Sequence, residues 1–212
     1  GKPGGLHEHG SGPEVAQSAV RGLSAAEGRF GFRTELRSVD LSGAHDLRDG
    51  RGFYAAALEP IRQLDAVLLG AIGHPDTPRG MIEEDIVFGF RRGLDLFVNL
   101  RPLVLYDARL CPLKEKTERD VQILVVRENT EDVYGRQGTR TGQGTDDERV
   151  SVEMSFTRRG IERIVRYAYE RAREQPRKHL TLVDKATAIP IQALWRGSLE
   201  EIGAAYADGR RE

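Results

Sequence analysis

Four cations stand where predicted strands and helices of this sequence end, and their side chains could together bind a small anion. They are Arg91, Arg101, Arg127 and Lys185. The arginine fork binds a carboxylate through two parallel hydrogen bonds, and its charge does not titrate in the physiological range. Any one of these residues alone is more often an ordinary surface cation. It is therefore the set that indicates recognition of a small polycarboxylic acid.

The stretch from Val121 to Tyr134, VQILVVRENTEDVY, shows how such a cation is positioned. Five of its first six residues are Val, Ile or Leu, which predicts a buried strand of a parallel sheet. In open α/β sheets, ligands bind just beyond the carboxyl ends of the strands. A cation at the end of the apolar run, such as Arg127, would therefore face a ligand, although this pattern alone favours a strand followed by a solvated loop. Tyr134 adds an aromatic ring with a titratable hydroxyl.

The elements that must carry these residues alternate between helical and extended patterns. Apolar residues at helical spacing predict helices over residues 12–28, 53–63, 81–93, 157–172 and 192–206. Extended patterns predict strands over residues 32–41, 65–72, 95–106, 121–127 and 179–183. This alternation predicts an α/β fold with a largely parallel sheet.

Three segments carry more specific expectations. Pro102 favours either an edge strand or a crossing between two units, and a domain boundary is expected near it. Residues 135–149 are rich in Gly, Thr and charge and predict either a flexible loop or a protruding hairpin arm. The first thirteen residues hold one large apolar side chain, Leu6, so no buried strand is predicted there.

Composition excludes several functional classes. The net charge of −1 gives no electrostatic footprint for nucleic acid. The single cysteine, Cys111, cannot form an internal disulfide and is typical of a reducing compartment. No apolar run approaches the length of a membrane span, and no signal-peptide pattern begins the chain. We therefore expect a cytoplasmic protein without nucleic-acid or membrane partners.

Several motifs occur together in one order. They are GPEV from residue 12, DAVLLGAIG from 65, RRGLDLFVNLRP from 91, VRENTEDVY from 126, and VDK from 183 with LWR from 194. From Gly10 to about Tyr206 the chain resembles the β-decarboxylating dehydrogenases, the family of isopropylmalate, isocitrate and tartrate/D-malate dehydrogenases. LDLFVNLRP and LLGAIG are most similar to 3-isopropylmalate dehydrogenase, whereas RENTED is closer to the isocitrate branch.

This resemblance implies a two-domain α/β fold with a mostly parallel sheet, incomplete at the C-terminus. Residues 1–100 would be the N-terminal part of the cofactor-binding domain. Residues 101–212 would be an incomplete second domain, with a dimerisation arm at about 135–152. The implied activity is NAD-dependent oxidative decarboxylation of a 2-hydroxy-dicarboxylic acid in a homodimer, with 3-isopropylmalate, of leucine biosynthesis, as the favoured substrate. Isocitrate, tartrate and D-malate remain alternatives.

The resemblance also assigns roles to residues. The three arginines would bind the substrate carboxylates. Lys185 would take the hydroxyl proton, and in the family this lysine reaches the active site of the partner subunit. Tyr134 would protonate the enol. Val87 and Phe88 would line the pocket for the substrate's side chain, although ordinary helix packing explains their apolar character equally well. The expected cofactor contacts are Gly70, Ala71, Ile72, Gly73 and Glu84. The position of Glu84 matches one that in relatives touches either the nicotinamide ribose or the variable group of the substrate.

The sequence also departs from the family pattern. GLHEHGSGPE stands where relatives have an apolar first strand, which indicates that this strand is missing or replaced. Thr187 stands where relatives usually carry Asn. The aspartates that hold Mg or Mn, and the loop that separates NAD from NADP, are expected beyond Glu212. This favours a truncated or fragment chain that is inactive alone. The alternative is a non-catalytic subunit that pairs with a complete homologue through residues 135–152.

Overall fold

The structure, a computed structural model, describes residues 3–7, 12–40, 54–70, 83–135, 138–206 and 210–211. The chain divides into two compact units, Gly1–Asp95 and Leu96–Glu212. The domain boundary expected after residue 100 falls inside a strand of the second unit. No helix in the described ranges is both long and apolar enough to cross a membrane.

The first unit contains a three-stranded parallel sheet in the order β2-β1-β3. The strands are β1, Pro3–His7, β2, Arg37–Asp40, and β3, Ala66–Leu68. The expectation that the first strand is missing is therefore wrong, because β1 is the central strand. Gly4 lies opposite both Arg37 and Val67, and this pairing uses backbone groups that glycine carries as well as any apolar residue. The proline stands at the first position of the strand, where a missing N–H is tolerated.

Both outer strands of this sheet are shorter than predicted. Residues 32–36 do not join β2, because the Glu27 carboxylate accepts hydrogen bonds at 2.5 Å from both the backbone N and Oγ1 of Thr34. The expected burial of β3 is also wrong, since Val67 is 36% exposed. The apolar run there encodes a strand, but no residue of β3 belongs to the core of this unit.

Helices supply that core. Helix α1 spans Gly12–Phe30 and α2 spans Tyr54–Arg62, both close to the predicted ranges. The third predicted helix is a π-helix over Glu83–Phe88 that continues as α3, Gly89–Gly93. The buried residues Ile61, Ile86 and Phe90 pack together, with Val39, Leu58, Leu64 and Leu94 around them.

The second unit begins with an antiparallel ladder of β4, Val98–Val104, and β5, Gln122–Glu128. The prediction that β5 is a buried strand of a parallel sheet is therefore wrong. Its residues 122–125 are exposed, Val125 to 37%, because an apolar run specifies extended backbone but neither its partner nor its cover. The edge-strand prediction for β4 agrees with the structure, since within the described residues β4 pairs with β5 alone.

The rest of this unit is a hairpin followed by two packed helices. Strands β6, Thr139–Thr141, and β7, Arg149–Ser151, pair as an antiparallel hairpin. A flexible loop and a hairpin arm were the two alternatives predicted for this segment, and the structure has the hairpin. Helix α4, Arg158–Arg173, packs on α5, Ala193–Gly203, through Ile161, Val165, Tyr169, Leu199 and Ile202. Thr157 caps α4 as predicted. The short parallel strands β8, His179–Leu180, and β9, Arg210–Arg211, complete the unit.

Candidate functional site

The β4–β5 ladder brings two of the predicted arginines onto one face. Arg101 lies opposite Val125, and Arg127 lies opposite Asn99. Side chains two residues apart on a strand share a face, so Arg101 and Arg127 are diagonal neighbours on the same side of the ladder. Both were predicted to stand where elements end, and Arg127 was predicted at the carboxyl end of a parallel strand. They meet instead through antiparallel register.

The guanidinium of Arg127 stacks on an aromatic ring and also has a nitrogen without a hydrogen-bond partner among the described residues. Its Cζ lies 4.4 Å from the centroid of the Tyr134 ring, and Tyr134 is 42% exposed. Nη2 of Arg127 is buried and has no hydrogen-bond partner among the residues that the structure describes. A buried donor left unpaired costs about 1–3 kcal/mol. A carboxylate or another anion is the partner that would remove this cost.

The turn between Arg127 and Tyr134 is held by its own polar residues. The Glu128 carboxylate accepts hydrogen bonds from the backbone N of Thr130 and of Glu131, at 2.9 and 2.8 Å, and from Oγ1 of Thr130. Arg163 donates to Oγ1 of Thr130 at 2.8 Å and stacks at 4.4 Å over the Phe97 ring. These contacts tie the turn to helix α4.

Glu131 joins the same turn to the beginning of α4. Its carboxylate accepts hydrogen bonds from Thr157 N at 2.8 Å and from Thr157 Oγ1 at 2.5 Å. Thr157 Oγ1 in turn accepts from Gly160 N at 3.0 Å, as an N-cap does. A Cβ added at Gly160 would overlap the Glu131 carboxylate. Alanine at position 160 would therefore displace the Glu131 carboxylate from its hydrogen bonds to Thr157.

We expect Gly160→Ala to leave the protein about 1–2 kcal/mol less stable than Gly197→Ala, because only the first change displaces a capping carboxylate. Both glycines lie in helices, but a Cβ at Gly197 meets nothing within 4 Å. The measurement is urea unfolding of the natural protein that carries this chain. In a Glu131→Ala background, Gly160→Ala and Gly197→Ala should change the free energy of unfolding by the same amount. Equal stability of the two single variants would contradict the close approach.

Lys185 lies in a loop whose backbone is fixed on both sides. Its N donates to Oε1 of Gln192 at 2.6 Å, and its carbonyl accepts from Ile189 N at 2.8 Å. The neighbouring Asp184 accepts two hydrogen bonds from Arg196, at 2.6 and 2.8 Å, and these lower the pKa of its carboxyl to about 2. Asp184 is thus ionised at neutral pH. The Lys185 side chain itself is exposed, so the loop presents it to solvent.

The remaining predicted residues belong to the first unit. Cζ of Arg91 lies 5.3 Å from the Phe88 ring centroid, and Val87 and Phe88 are half-buried. Glu84 lies in the π-helix, a form of helix that occurs frequently at functional sites. Gly70 is described and half-buried, whereas Ala71, Ile72 and Gly73 lie outside the described residues.

Sheet order in the first unit gives a physical reason for a ligand near Gly70. The chain passes from β1 to β2 on one side and then to β3 on the other side of β1. In open parallel sheets, ligands bind at the carboxyl ends of the strands where the order reverses in this way. Gly70 follows β3 at that edge. One glycine does not define a dinucleotide cradle, and in the described ranges no three His, Cys, Asp or Glu side chains are grouped to hold a metal ion.

Several polar residues of this site were given no role from the sequence. They are Asn99, Glu128, Asn129, Thr130, Glu131 and Arg163. One signal was available for Asn99, a polar residue in an apolar strand two positions before Arg101 and hence on its face. The others follow from contacts between distant segments, such as Arg163 with Thr130, which spacing does not reveal.

Parallel strands joined by helices, with an arginine-bearing ladder, define an α/β protein with a candidate anion site. The model of the isocitrate/isopropylmalate dehydrogenase family matches residues 5–210. The chain therefore belongs to the isocitrate/isopropylmalate dehydrogenase family, and the resemblance seen in the sequence is confirmed.

Individual relatives agree with this assignment. The chain is 37% identical over 198 residues to 3-isopropylmalate dehydrogenase of Thermobifida fusca, covering 93% of this chain and 56% of the relative. It is 37% identical over 204 residues to the decarboxylating D-malate dehydrogenase of Escherichia coli, covering 95% of this chain and 56% of that protein. The chain thus spans about half the length of these relatives.

A solved structure supports the fold. Isocitrate dehydrogenase from Methylococcus capsulatus superposes with a TM-score of 0.81 at 27% identity, covering 99% of this chain and 59% of that chain. A β-decarboxylating dehydrogenase from Thermococcus kodakarensis gives a TM-score of 0.69 at 26% identity, covering 100% of this chain and 57% of that chain. The predicted α/β fold class is confirmed.

Proposed function

We propose that the natural protein carrying this chain is an NAD-dependent dehydrogenase that oxidatively decarboxylates 3-isopropylmalate, a step of leucine biosynthesis. The observation that carries the proposal is Nη2 of Arg127, a buried donor without a partner among the described residues. It lies on the same ladder face as Arg101. Two guanidinium groups on one face fit the carboxylates of a 2-hydroxy-dicarboxylic acid.

In this proposal, different residues of the chain bind the substrate and transfer its protons. Arg91, Arg101 and Arg127 bind and orient the substrate carboxylates. Lys185 takes the proton from the substrate hydroxyl as hydride leaves, which is general base catalysis. Tyr134 returns a proton to the enol that forms on loss of carbon dioxide. Stacking of Tyr134 on Arg127 at 4.4 Å holds the phenol beside the bound carboxylate.

The hydride acceptor in this proposal is NAD, and its contacts are assigned to Gly70–Gly73 and Glu84. The position of Gly70 at the reversal of strand order supports this assignment. A divalent Mg or Mn would polarise the hydroxyl and stabilise the enolate. No residue of this chain is proposed as a ligand of that metal.

Substrate choice is proposed from Val87 and Phe88. Both are apolar and half-buried, which suits an isopropyl group better than a third carboxylate, because a buried charge needs a partner. D-malate is the main competing substrate, since one relative is named for it. Isocitrate and tartrate are further alternatives.

The proposed assembly is a cytoplasmic homodimer joined through the exposed hairpin of β6 and β7. The second candidate, a non-catalytic subunit that pairs with a full-length homologue, had two supports in the sequence. One was the altered first strand, and β1, Pro3–His7, forms the central strand of its sheet in spite of that alteration. The other, Thr187, is exposed and carries no argument by itself.

The test is a substrate panel with the natural protein that carries this chain, in the presence of NAD and Mg²⁺ or Mn²⁺. NADH formation is followed with 3-isopropylmalate, D-malate, isocitrate and tartrate at equal concentrations. We expect kcat/KM for 3-isopropylmalate to exceed that for each other acid by at least about tenfold, the discrimination that an apolar pocket provides. A higher kcat/KM with another acid would overturn the substrate, and no NADH with any of them would overturn the activity.

A further inference from the structure

The two asparagines of this chain, Asn99 and Asn129, are hydrogen-bonded to each other and lead to Arg101. Nδ2 of Asn129 donates to the carbonyl of Leu96 at 3.1 Å. Nδ2 of Asn99 donates to Oδ1 of Asn129 at 3.2 Å. Nε of Arg101 donates to Oδ1 of Asn99 at 2.9 Å. The series therefore begins at a backbone carbonyl and ends at a guanidinium.

The direction of this series is fixed by its first member. Leu96 offers a carbonyl, which only accepts, so Asn129 must turn its NH2 toward it and its oxygen toward Asn99. Asn99 must then turn its own oxygen toward Arg101. Asn129 is 6% exposed, so water does not readily substitute for these partners. A flipped Asn99 amide would place donor against donor at Arg101.

The register explains why the series reaches Arg101. Asn99 and Arg101 are two residues apart on β4 and share the face of the ladder that also carries Arg127. Arg101 is exposed, and a long exposed side chain otherwise samples many rotamers. One directed hydrogen bond at Nε restricts the guanidinium and leaves its two Nη groups as donors for a ligand.

We propose that Asn99 and Asn129 are positioning residues that orient Arg101, so that a substrate carboxylate is bound end-on through Nη1 and Nη2. The inference rests on the proposed function insofar as Arg101 is a carboxylate ligand. Neither asparagine touches the substrate. Asn99 acts through Arg101, and Asn129 acts through Asn99.

A double-mutant cycle on the natural protein carrying this chain tests the proposal, with 3-isopropylmalate as substrate. Asn99→Ala should raise KM about tenfold with kcat changed by less than about threefold, because one hydrogen bond to a charged group is lost. In an Arg101→Ala background the same change should alter KM by less than about twofold. A similar increase of KM in both backgrounds, or no increase in the native background, would overturn the proposal.

A second measurement does not depend on turnover. Hydrogen exchange of the Arg101 Nε–H, identified by loss of its NMR signal in Arg101→Ala, should be slow in the native protein. Asn99→Ala and the size-conserving Asn129→Leu should both accelerate it at least about fivefold, since the first removes the acceptor of Arg101 Nε and the second removes the acceptor that orients the Asn99 amide. Equal exchange in native and variant proteins would overturn the positioning role. If exchange accelerates but Arg101→Ala leaves KM unchanged, the positioning series stands and the proposed substrate role of Arg101 fails.

Discussion

Replacing Arg127 by alanine is expected to lower kcat/KM for 3-isopropylmalate on the order of 100- to 1,000-fold in the natural protein that carries this chain, because a bidentate charged contact is lost. Arg127→Lys keeps the positive charge but not the planar fork. It is therefore expected to lose roughly tenfold, between the native protein and the alanine variant. Steady-state kinetics with varied substrate at saturating NAD measure both effects.

The structure supplies both the reason and the control for this prediction. Arg127 stacks on Tyr134 and keeps Nη2 buried without a described partner, so its guanidinium is held ready for an anion. Arg109 is the matched control, since its side chain is 88% exposed and already bonded to Asp107. Arg109→Ala should leave kcat/KM unchanged. Equal kinetics of Arg127→Ala and Arg109→Ala would remove Arg127 from the substrate site.

Helices and their caps were predictable because the signals that specify them are local. The apolar residues Ile161, Ile164 and Val165 recur at helical spacing, and all three are buried on α4. Thr157, directly before that pattern, caps the helix as predicted. Side-chain periodicity and capping chemistry both operate within a few residues, so the sequence expresses them directly.

Strand pairing was not predictable in the same way. The segment Pro3–His7 has no apolar alternation, yet it is the central strand of its sheet, since ladders are made by backbone groups that every sequence offers. The apolar run of β5 predicted a buried parallel strand, but its partner is antiparallel. Which strands pair is decided by contacts distant in sequence, and the residues of one strand do not encode them.

The candidate site was likewise predictable from local residue types but not from contacts distant in sequence. Arginine chemistry singled out Arg101 and Arg127, and the structure places both on one face, but for a different reason from the one expected. The hydrogen bonds that Arg101 donates to Asn99 and that Asn99 donates to Asn129 link positions up to thirty residues apart in sequence. They follow only from the β4–β5 register. Residue type indicated the chemistry, and register determined which residues act together.

Replacing Lys185 by alanine is expected to lower kcat for 3-isopropylmalate roughly 100- to 10,000-fold with a much smaller change in KM, because a general base acts in the transition state more than in binding. Added methylamine should restore part of the lost rate, since a small amine can accept the proton in place of the side chain. Lys114→Ala, at another exposed lysine, is the control and should retain full turnover. Turnover of Lys185→Ala equal to that of Lys114→Ala would exclude Lys185 as the base.

The Lys185 side chain is exposed, and its loop is fixed by Gln192 and by the Asp184–Arg196 pair. We therefore expect that this side chain can reach the active site of a partner subunit. Mixing inactive Lys185→Ala and Arg127→Ala proteins, followed by subunit exchange, tests this directly. If each site takes Arg127 from one chain and Lys185 from the other, half of the dimers are mixed and each holds one complete site. The mixture should then recover about a quarter of native activity, as two-fold symmetry requires. If Lys185 serves its own subunit, no mixed dimer has a complete site, and the mixture stays inactive.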